Sequence, residues 1–373
     1  MSPFGRAPGS ARLERIQASP RFSGGSFRNP SGATPGLKPG TALSTMGKFL
    51  FGGERRTPRA PLPSESPLDR WMRPVDSGLR ATWLGHSTVL VEIDGHRVLT
   101  DPVWSDRASP FGFAGPRRFQ PVPVSIEALP PLDAVLVSHD HYDHLDRAAI
   151  VALAARGQPI LTPLGVGAHL EAWGVPAAQI TELDWWESRA IGGLTITAAP
   201  SQHFSGRGPS DRNRTLWSSF AVRGPRRAFF FSGDTGLTPE YAEIRERLGP
   251  FDLVMLEVGA FHPSWGTIHL GPENALEALA LLGGGSFLPV HWGTFNLAIH
   301  AWDEPAETLL ALAPKRDVQL VMPKIGEVVE PSQVERVSPW WRAIAALEKG
   351  QAKRTEEPEV DEAEGLVAGE PID

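Results

Sequence analysis

The 373-residue chain is 41% hydrophobic and 21% charged, enough apolar material for one large core and too much for a chain that stays disordered. It has no cysteine, which excludes disulfides, thiolate-bound zinc, iron–sulfur clusters and thiol nucleophiles and leaves His and carboxylates to hold any metal. The net charge of −7 is uneven: residues 1–73 are net +8 and residues 351–373 net −6, so a basic arm leads an acidic body.

Residues 1–66 read as a Pro/Gly/Arg-rich arm without sustained periodicity, closing on Pro58, Pro61 and Pro63. From Arg80 short apolar runs begin between turn residues. Ala81–Leu84, Thr88–Ile93 and Arg97–Thr100 read as strands, with Asp94-Gly95 as a hairpin turn between the last two. Asp133–Ser138 is a nearly continuous apolar run, the pattern of a strand buried on both faces. A helix over Asp146–Arg156 follows, with Asp146 placed to cap it.

Further strands are predicted at Pro159–Thr162, Leu194–Ala198, Leu216–Val222, Ala228–Phe231, Leu253–Glu257, Phe287–Val290 and Val318–Val321. Helices are predicted at Val166–Trp173, Pro239–Leu248, Pro272–Leu282, Pro305–Leu312 and Pro339–Glu348. Strands mixed with helices without regular βαβ repetition imply an α+β architecture, two packed mixed sheets covered outside by helices. The expected organisation is the arm at 1–66, a catalytic domain at 67–350 and an acidic disordered tail at 351–373.

Residues 1–40 hold no apolar run of secretory-signal length, and the longest apolar stretch, Ala278 to Val290, is broken by glycines and falls short of the ~18 residues that span a bilayer. A cytoplasmic enzyme is expected, with the basic arm offering peripheral contact to an anionic membrane. No nucleic-acid-binding motif accompanies that charge, so nucleic acid is not an expected partner. The oligomeric state is left open, a homodimer included.

Three of the eleven histidines fall within His139-Asp140-His141-Tyr142-Asp143-His144. A turn leaving a strand aims His139 and His141 to one side, with Asp143 and His144 beside them, so one segment can serve two adjacent metals. Neutral imidazoles with carboxylates suit Zn²⁺, whose catalytic sites take about three protein ligands and an open position. His203, Asp234 and His291 each stand just past a predicted strand, where rigid scaffolds present functional groups.

With these motifs the sequence resembles the metallo-β-lactamase fold, and within it the branch of N-acylphosphatidylethanolamine-hydrolysing phospholipases D. The resemblance covers about residues 80–305. It rests on the His-x-His-x-Asp-His turn together with Thr82-Trp83-Leu84-Gly85-His86-Ser87, Leu99-Thr100-Asp101-Pro102, Gly115-Pro116-Arg117-Arg118-Phe119, Ser232-Gly233-Asp234-Thr235-Gly236 and His291-Trp292-Gly293-Thr294-Phe295. It implies an αββα sandwich with two Zn²⁺ at its edge. One zinc would sit on His139, His141 and His203, the second on Asp143, His144 and His291, with Asp234 bridging. Asp101 would support the ligand turn by hydrogen bonds, and His269 or His86 would serve the leaving group as proton donor, His269 being the better placed.

Two such cations lower the pKa of a shared water from ~15.7 toward ~7, so the expected nucleophile is a bridging hydroxide attacking phosphorus. The substrate that the resemblance implies is an N-acylated phosphatidylethanolamine or a related phosphodiester, split into phosphatidic acid and an N-acylethanolamine. Phe111, Phe113 and Phe119 with Arg117 and Arg118 would form an apolar, basic lipid entrance, Phe49 and Phe51 a second contact. The same cations serve a lactone or amide hydrolase equally well, since fold does not fix function. A non-enzymatic metal- or lipid-binding module is the alternative of a different class.

Overall fold

A computed structural model describes residues 3–52 and 54–344. The arm contains regular structure that its composition conceals: helix α1 (Ser10–Ala18), a hairpin of β1 (Phe22–Ser23) and β2 (Ser26–Phe27), and helix α2 (Ala42–Phe51), followed by the one-turn α3 (Leu68–Trp71). Ile16 and Phe27 are its anchors, packed with Leu164, Trp185, Leu216 and Trp217 of the body. Scattered apolar residues, Phe22 and Leu62 among them, and ion pairs such as Arg12–Glu182 complete its docking, none at a spacing that gives a periodic signal.

The first sheet is built from β3 (Leu79–Gly85), β4 (Thr88–Ile93), β5 (His96–Thr100) and β6 (Ala134–Leu136). Helix α4 (Arg147–Ala155), β7 (Ile160–Pro163), α5 (Gly167–Ala172) and β8 (Ile180–Leu183) complete this half. Asp146 caps α4 through a bond from the Ala148 N–H. The second sheet follows with β9 (Ser188–Ile191), β10 (Leu194–Ala199), β11 (Ser219–Arg223) and β12 (Ala228–Phe231). Helix α6 (Glu240–Leu248), β13 (Leu253–Glu257), α7 (Gly271–Leu281) and β14 (Ser286–Val290) close it. After α8 (Glu304–Leu312), the short β15 (Val328–Val329) returns to the first sheet.

Strand order is β15-β3-β4-β5-β6-β7-β8 in one sheet and β14-β13-β12-β11-β10-β9 in the other, and both are mixed. The two-residue period of a strand explains the layering. Val89, Val91 and Ile93 of β4 face the second sheet's Ile196, Phe220 and Phe229, whereas Leu90 packs with Leu99, Val135 and the α4 residues Ile150 and Leu153. The αββα sandwich read from the sequence is the observed architecture.

Five strands escaped the reading, the two-residue β1, β2 and β15 and the longer β8 and β9. Strand β9 is an edge whose Ser188, Arg189 and Ala190 are exposed, so it carries no apolar alternation. The strand expected at Val318–Val321 forms only a single bridge, Leu320 to Phe287. Phe287 N–H donates to Gln319 O and Val321 N–H to Phe287 O, but the next donor along β14 would be Pro289, which has no N–H. The helix expected over Pro339–Glu348 is present at 341–344, with Pro339 and Trp340 preceding it outside the helix; residues 345–348 and the acidic tail 351–373 lie outside the described residues. Among the described residues no helix is long and apolar enough to cross a membrane.

Candidate metal centre

All the singled-out side chains gather at one edge of the sandwich, where β5, β6, β10, β12, β13 and β14 end. The turn after β6 supplies His139, His141, Asp143 and His144; His203 follows β10, Asp234 follows β12 and His291 follows β14. Three inward-turned residues, His86, Asp101 and His291, have φ of 53°, 31° and 65°. Non-glycine residues in that region carry strain, which persists only where surrounding structure holds them. Gly233, φ 55°, is required because a Cβ there would collide with Ser138 Cβ, so the Asp234 loop could not reach the ligand turn.

Among the described residues the donor atoms form three groups, one of which, Asp234, Glu257, His269 and His291, overlaps the two main clusters. His139, His141, His203 and Asp234 each offer an atom within 4.8 Å of the others, and so do His86, Asp143, His144 and His291. The gaps inside are short: His139 Nε2 to His141 Nδ1 2.8 Å, His203 Nε2 to His141 Nδ1 3.3 Å, His291 Nε2 to Asp143 Oδ2 3.3 Å. Asp234 reaches both clusters, with Oδ2 3.7 Å from His203 Nε2 and 3.2 Å from His144 Nε2, and Oδ1 3.2 Å from His291 Nε2.

Hydrogen bonds outside the clusters fix which ring nitrogens carry protons. Asp101 accepts from Ser138 N–H (2.7 Å), Ser138 Oγ–H (2.6 Å) and His144 Nδ1–H (2.7 Å). Since the Ser138 hydroxyl spends its only proton on Asp101, it accepts from His139 Nδ1–H at 2.9 Å. His203 Nδ1–H donates to Ile268 O at 3.0 Å. In the neutral rings Nε2 of His139, His144 and His203 is therefore left as a lone pair aimed inward, the tautomer a metal requires; burial pulls His144 down, but Asp234 and Asp143 outweigh it and hold its pKa well above the ordinary value. Burial and the neighbouring imidazoles hold His139 well below the ordinary histidine pKa, and burial, outweighing Asp234, does the same to His203.

Buried polar atoms without partners mark what is missing from this arrangement. His144 Nε2 and Asp234 Oδ1 have no hydrogen-bond partner although both are buried, a cost a protein does not bear without reason. Converging lone pairs of five imidazoles and two carboxylates repel one another unless cations lie between them. The donor set therefore fits a pair of divalent cations.

Asp101 is placed behind the ligand turn. His86 differs from expectation: its Nε2 lies 3.2 Å from Asp143 Oδ2 and its ring 4.1 Å from His291. Burial and His291 push its pKa down to about 3, so it is neutral at physiological pH and ill suited to give a proton. His269 flanks the clusters, its ring centroid 5.0 Å from that of His203 and 5.7 Å from that of His291. Its Nδ1 is 3.0 Å from Glu257 Oε1, and it lines a cavity of about 530 Å³ with Phe261, Trp265 and Lys38. Burial pulls His269 down, but Glu257 outweighs it and raises the imidazole above its ordinary value.

Glu257 was missed by sequence reasoning. It ends β13 fully buried, holds His269, accepts Leu270 N–H at 2.9 Å and has Oε2 3.9 Å from His291 Nδ1. Its only sequence signal was a carboxylate closing an otherwise apolar strand. The lipid entrance also changes. Phe119 is half-buried against the core, and Arg118 is buried, bonded to the carbonyls of Val103, Ser105 and Gln120. Phe111 and Phe113 remain exposed, and Phe4 of the arm joins them with ring centroids 6.1 Å from Phe111. The side chains of Phe49 and Phe51 lie outside the described residues.

A twin-sheet sandwich with a histidine-rich ligand turn at its edge defines a class, and the comparisons agree. Residues 96–292 match the family described as the beta-lactamase superfamily domain, and the chain belongs to it as a metallo-β-lactamase-fold hydrolase. An uncharacterized protein of Mycobacterium tuberculosis is 50% identical over 289 residues, 76% of this chain and 77% of its own length. N-acyl-phosphatidylethanolamine-hydrolyzing phospholipase D 1 of Caenorhabditis elegans is 39% identical over 343 residues, covering 84% of this chain and 95% of the worm protein. Among solved structures, isothiocyanate hydrolase from Delia radicum gut bacteria has a TM-score of 0.54 at 23% identity over 67% of this chain and 98% of that one, a likeness of fold alone.

Proposed function

We propose that this chain is a binuclear zinc phosphodiesterase of the phospholipase D type, acting on an N-acylated phosphatidylethanolamine or a closely related phosphodiester. The observation that carries the metal reading is Asp234, whose Oδ2 faces His139 and His203 of one cluster and His144 of the other, while Oδ1 faces His291. His139, His141 and His203 would hold one cation, Asp143, His144 and His291 the other, with Asp234 between and His86 beside the second. Bound there, the two cations would supply charge stabilisation for a phosphoryl group and an activated water.

The chain's own residues do the rest. Asp101 and Ser138 lock His139 and His144 in one tautomer. Glu257 holds Nδ1 of His269, leaving Nε2 to deliver a proton to the departing head-group oxygen. The phospholipid class is supported by the worm relative that this chain matches over nearly its whole length. Phe4, Phe111 and Phe113, with the exposed Arg6 and Arg117 a few residues away in the chain, give apolar and basic groups suited to an anionic bilayer.

Turnover of N-acylphosphatidylethanolamine in mixed micelles, a soluble phosphodiester and a lactone, with products identified, tests the reading. Release of N-acylethanolamine and phosphatidic acid is expected. Lactone cleavage without phosphodiester cleavage would replace it with the carbonyl-hydrolase alternative.

A further inference from the structure

His203 is held in place by the arm. Its ring nitrogen Nδ1 is spent on Ile268 O, and its main chain is gripped by Asn29 in both directions. Asn29 Nδ2 donates to His203 O at 2.8 Å, and Asn29 Oδ1 accepts His203 N–H at 3.2 Å. The second Nδ2 proton goes to Ala33 O at 2.8 Å, and Oδ1 also accepts Trp217 Nε1–H at 3.2 Å. A primary amide has two protons and two lone pairs, so this buried side chain is used to capacity. Every partner is unambiguously a donor or an acceptor, which fixes the amide's orientation.

The same segment continues across the neighbouring loops. Ser31 Oγ donates to Gln202 Oε1, and Gln202 Nε2 donates to Thr267 O at 2.6 Å, just before Ile268 and His269. Farther along, Lys38 N–H donates to Ser264 O at 2.7 Å and Gly266 N–H to Gly36 O at 3.0 Å, so the arm walls the cavity that His269 lines. At the arm's other end, Pro3 O accepts from Arg207, whose Nη1 donates to Asp140 O and Leu145 O within the ligand turn.

We infer that the basic arm, which lies outside the family-matched residues 96–292, is a structural part of the metal centre and that Asn29 is a positioning residue for His203. The inference rests on reading His203 as a metal ligand. With its backbone clamped by Asn29 and its ring by Ile268, His203 retains little freedom except to point Nε2 at the cluster. Releasing the backbone lets the ring swing and weakens the hold on one cation of the two. Outer partners of metal ligands are worth about 10–100-fold in affinity.

Asn29→Asp tests this, because it fills the same volume but sets a carboxylate oxygen against two carbonyls. Asn29→Ala, which removes all four bonds without adding charge, keeps the test decisive where Asn29→Asp does not fold. Leu43→Ala, exposed on the same arm, is the control for general damage. Apo-protein of each is titrated with Co²⁺ alone, reading the visible absorption band and the retention of each equivalent against a chelator, with the apo melting temperature as a measure of fold. The expected result is a folded Asn29 variant in which one Co²⁺ equivalent is held at least ~10-fold more weakly, with an altered band, while the other and the control are unchanged. Two equivalents retained as in the unaltered protein, with the same band, would overturn the inference alone. Failure of the unaltered protein to take up Co²⁺ would sink the metal centre and the inference with it.

Discussion

The two halves of the candidate centre are built differently. His139, His141, Asp143 and His144 come from one six-residue turn, and their braces, Asp101 and Ser138, belong to the adjoining strand ends of the same sheet. His203, Asp234 and His291 come from three separate strand ends of the second sheet. Their braces come from farther still: Asn29 from the arm, Ile268 from the loop before α7, Glu257 from the end of β13. The first half is thus a local device carried by a single turn, whereas the second exists only when the sheet, the arm and the loops around α7 are all in place.

That contrast is open to attack at several points. The largest effect is expected where the halves meet: Asp234→Asn should lower kcat by about 10²–10³-fold or more while the melting temperature barely moves, and His139→Ala should match it. Wild-type-like turnover in both would dismantle the centre. Bracing residues should cost less, about 10–100-fold in metal affinity or activity. Asp101→Asn should loosen both cations, one through His144 and the other through Ser138 and His139. Glu257→Gln should instead loosen only the cation on His291, besides acting on His269, so metal analysis distinguishes the two braces by one weakened equivalent or two.

Glu257→Gln should also move the pH profile. An acid that must be protonated fails as pH rises through its pKa, and Glu257 holds that of His269 up. Removing the negative charge lowers it, so the alkaline limb of kcat/KM should shift to lower pH. An unmoved limb would assign proton delivery to another group. Smaller still, Asp146→Ala removes the cap of α4 and the anchor for Trp104 N–H and Ser105 N–H, costing roughly 1–2 kcal/mol of stability in denaturant melts. Deleting residues 351–373 should leave turnover unchanged, since a segment so rich in Asp and Glu has few apolar side chains to bury.

Much of the body was legible because its strands obey simple periods: Thr88–Ile93, Ala228–Phe231 and Leu253–Glu257 occupy the residues their patterns predicted. The ligand turn stood out because three histidines in six residues have no structural explanation in an apolar strand's exit. Glu257 did not stand out, since a single carboxylate at a strand's end looks like any turn residue until His269 and Leu270 fold against it. Asn29 was hidden further, 174 positions from His203 in a stretch whose composition suggests only an arm.

By itself the sequence determined the chemistry available, a cysteine-free chain whose donors are imidazole and carboxylate, and the strands whose ends would carry them. Those are properties of residue type and near-neighbour spacing, which a linear pattern preserves. Only the tertiary structure decided which nitrogen of each imidazole keeps its proton and which residues enforce that choice. Such decisions lie in hydrogen bonds between segments far apart in the chain, and packing alone brings those segments together.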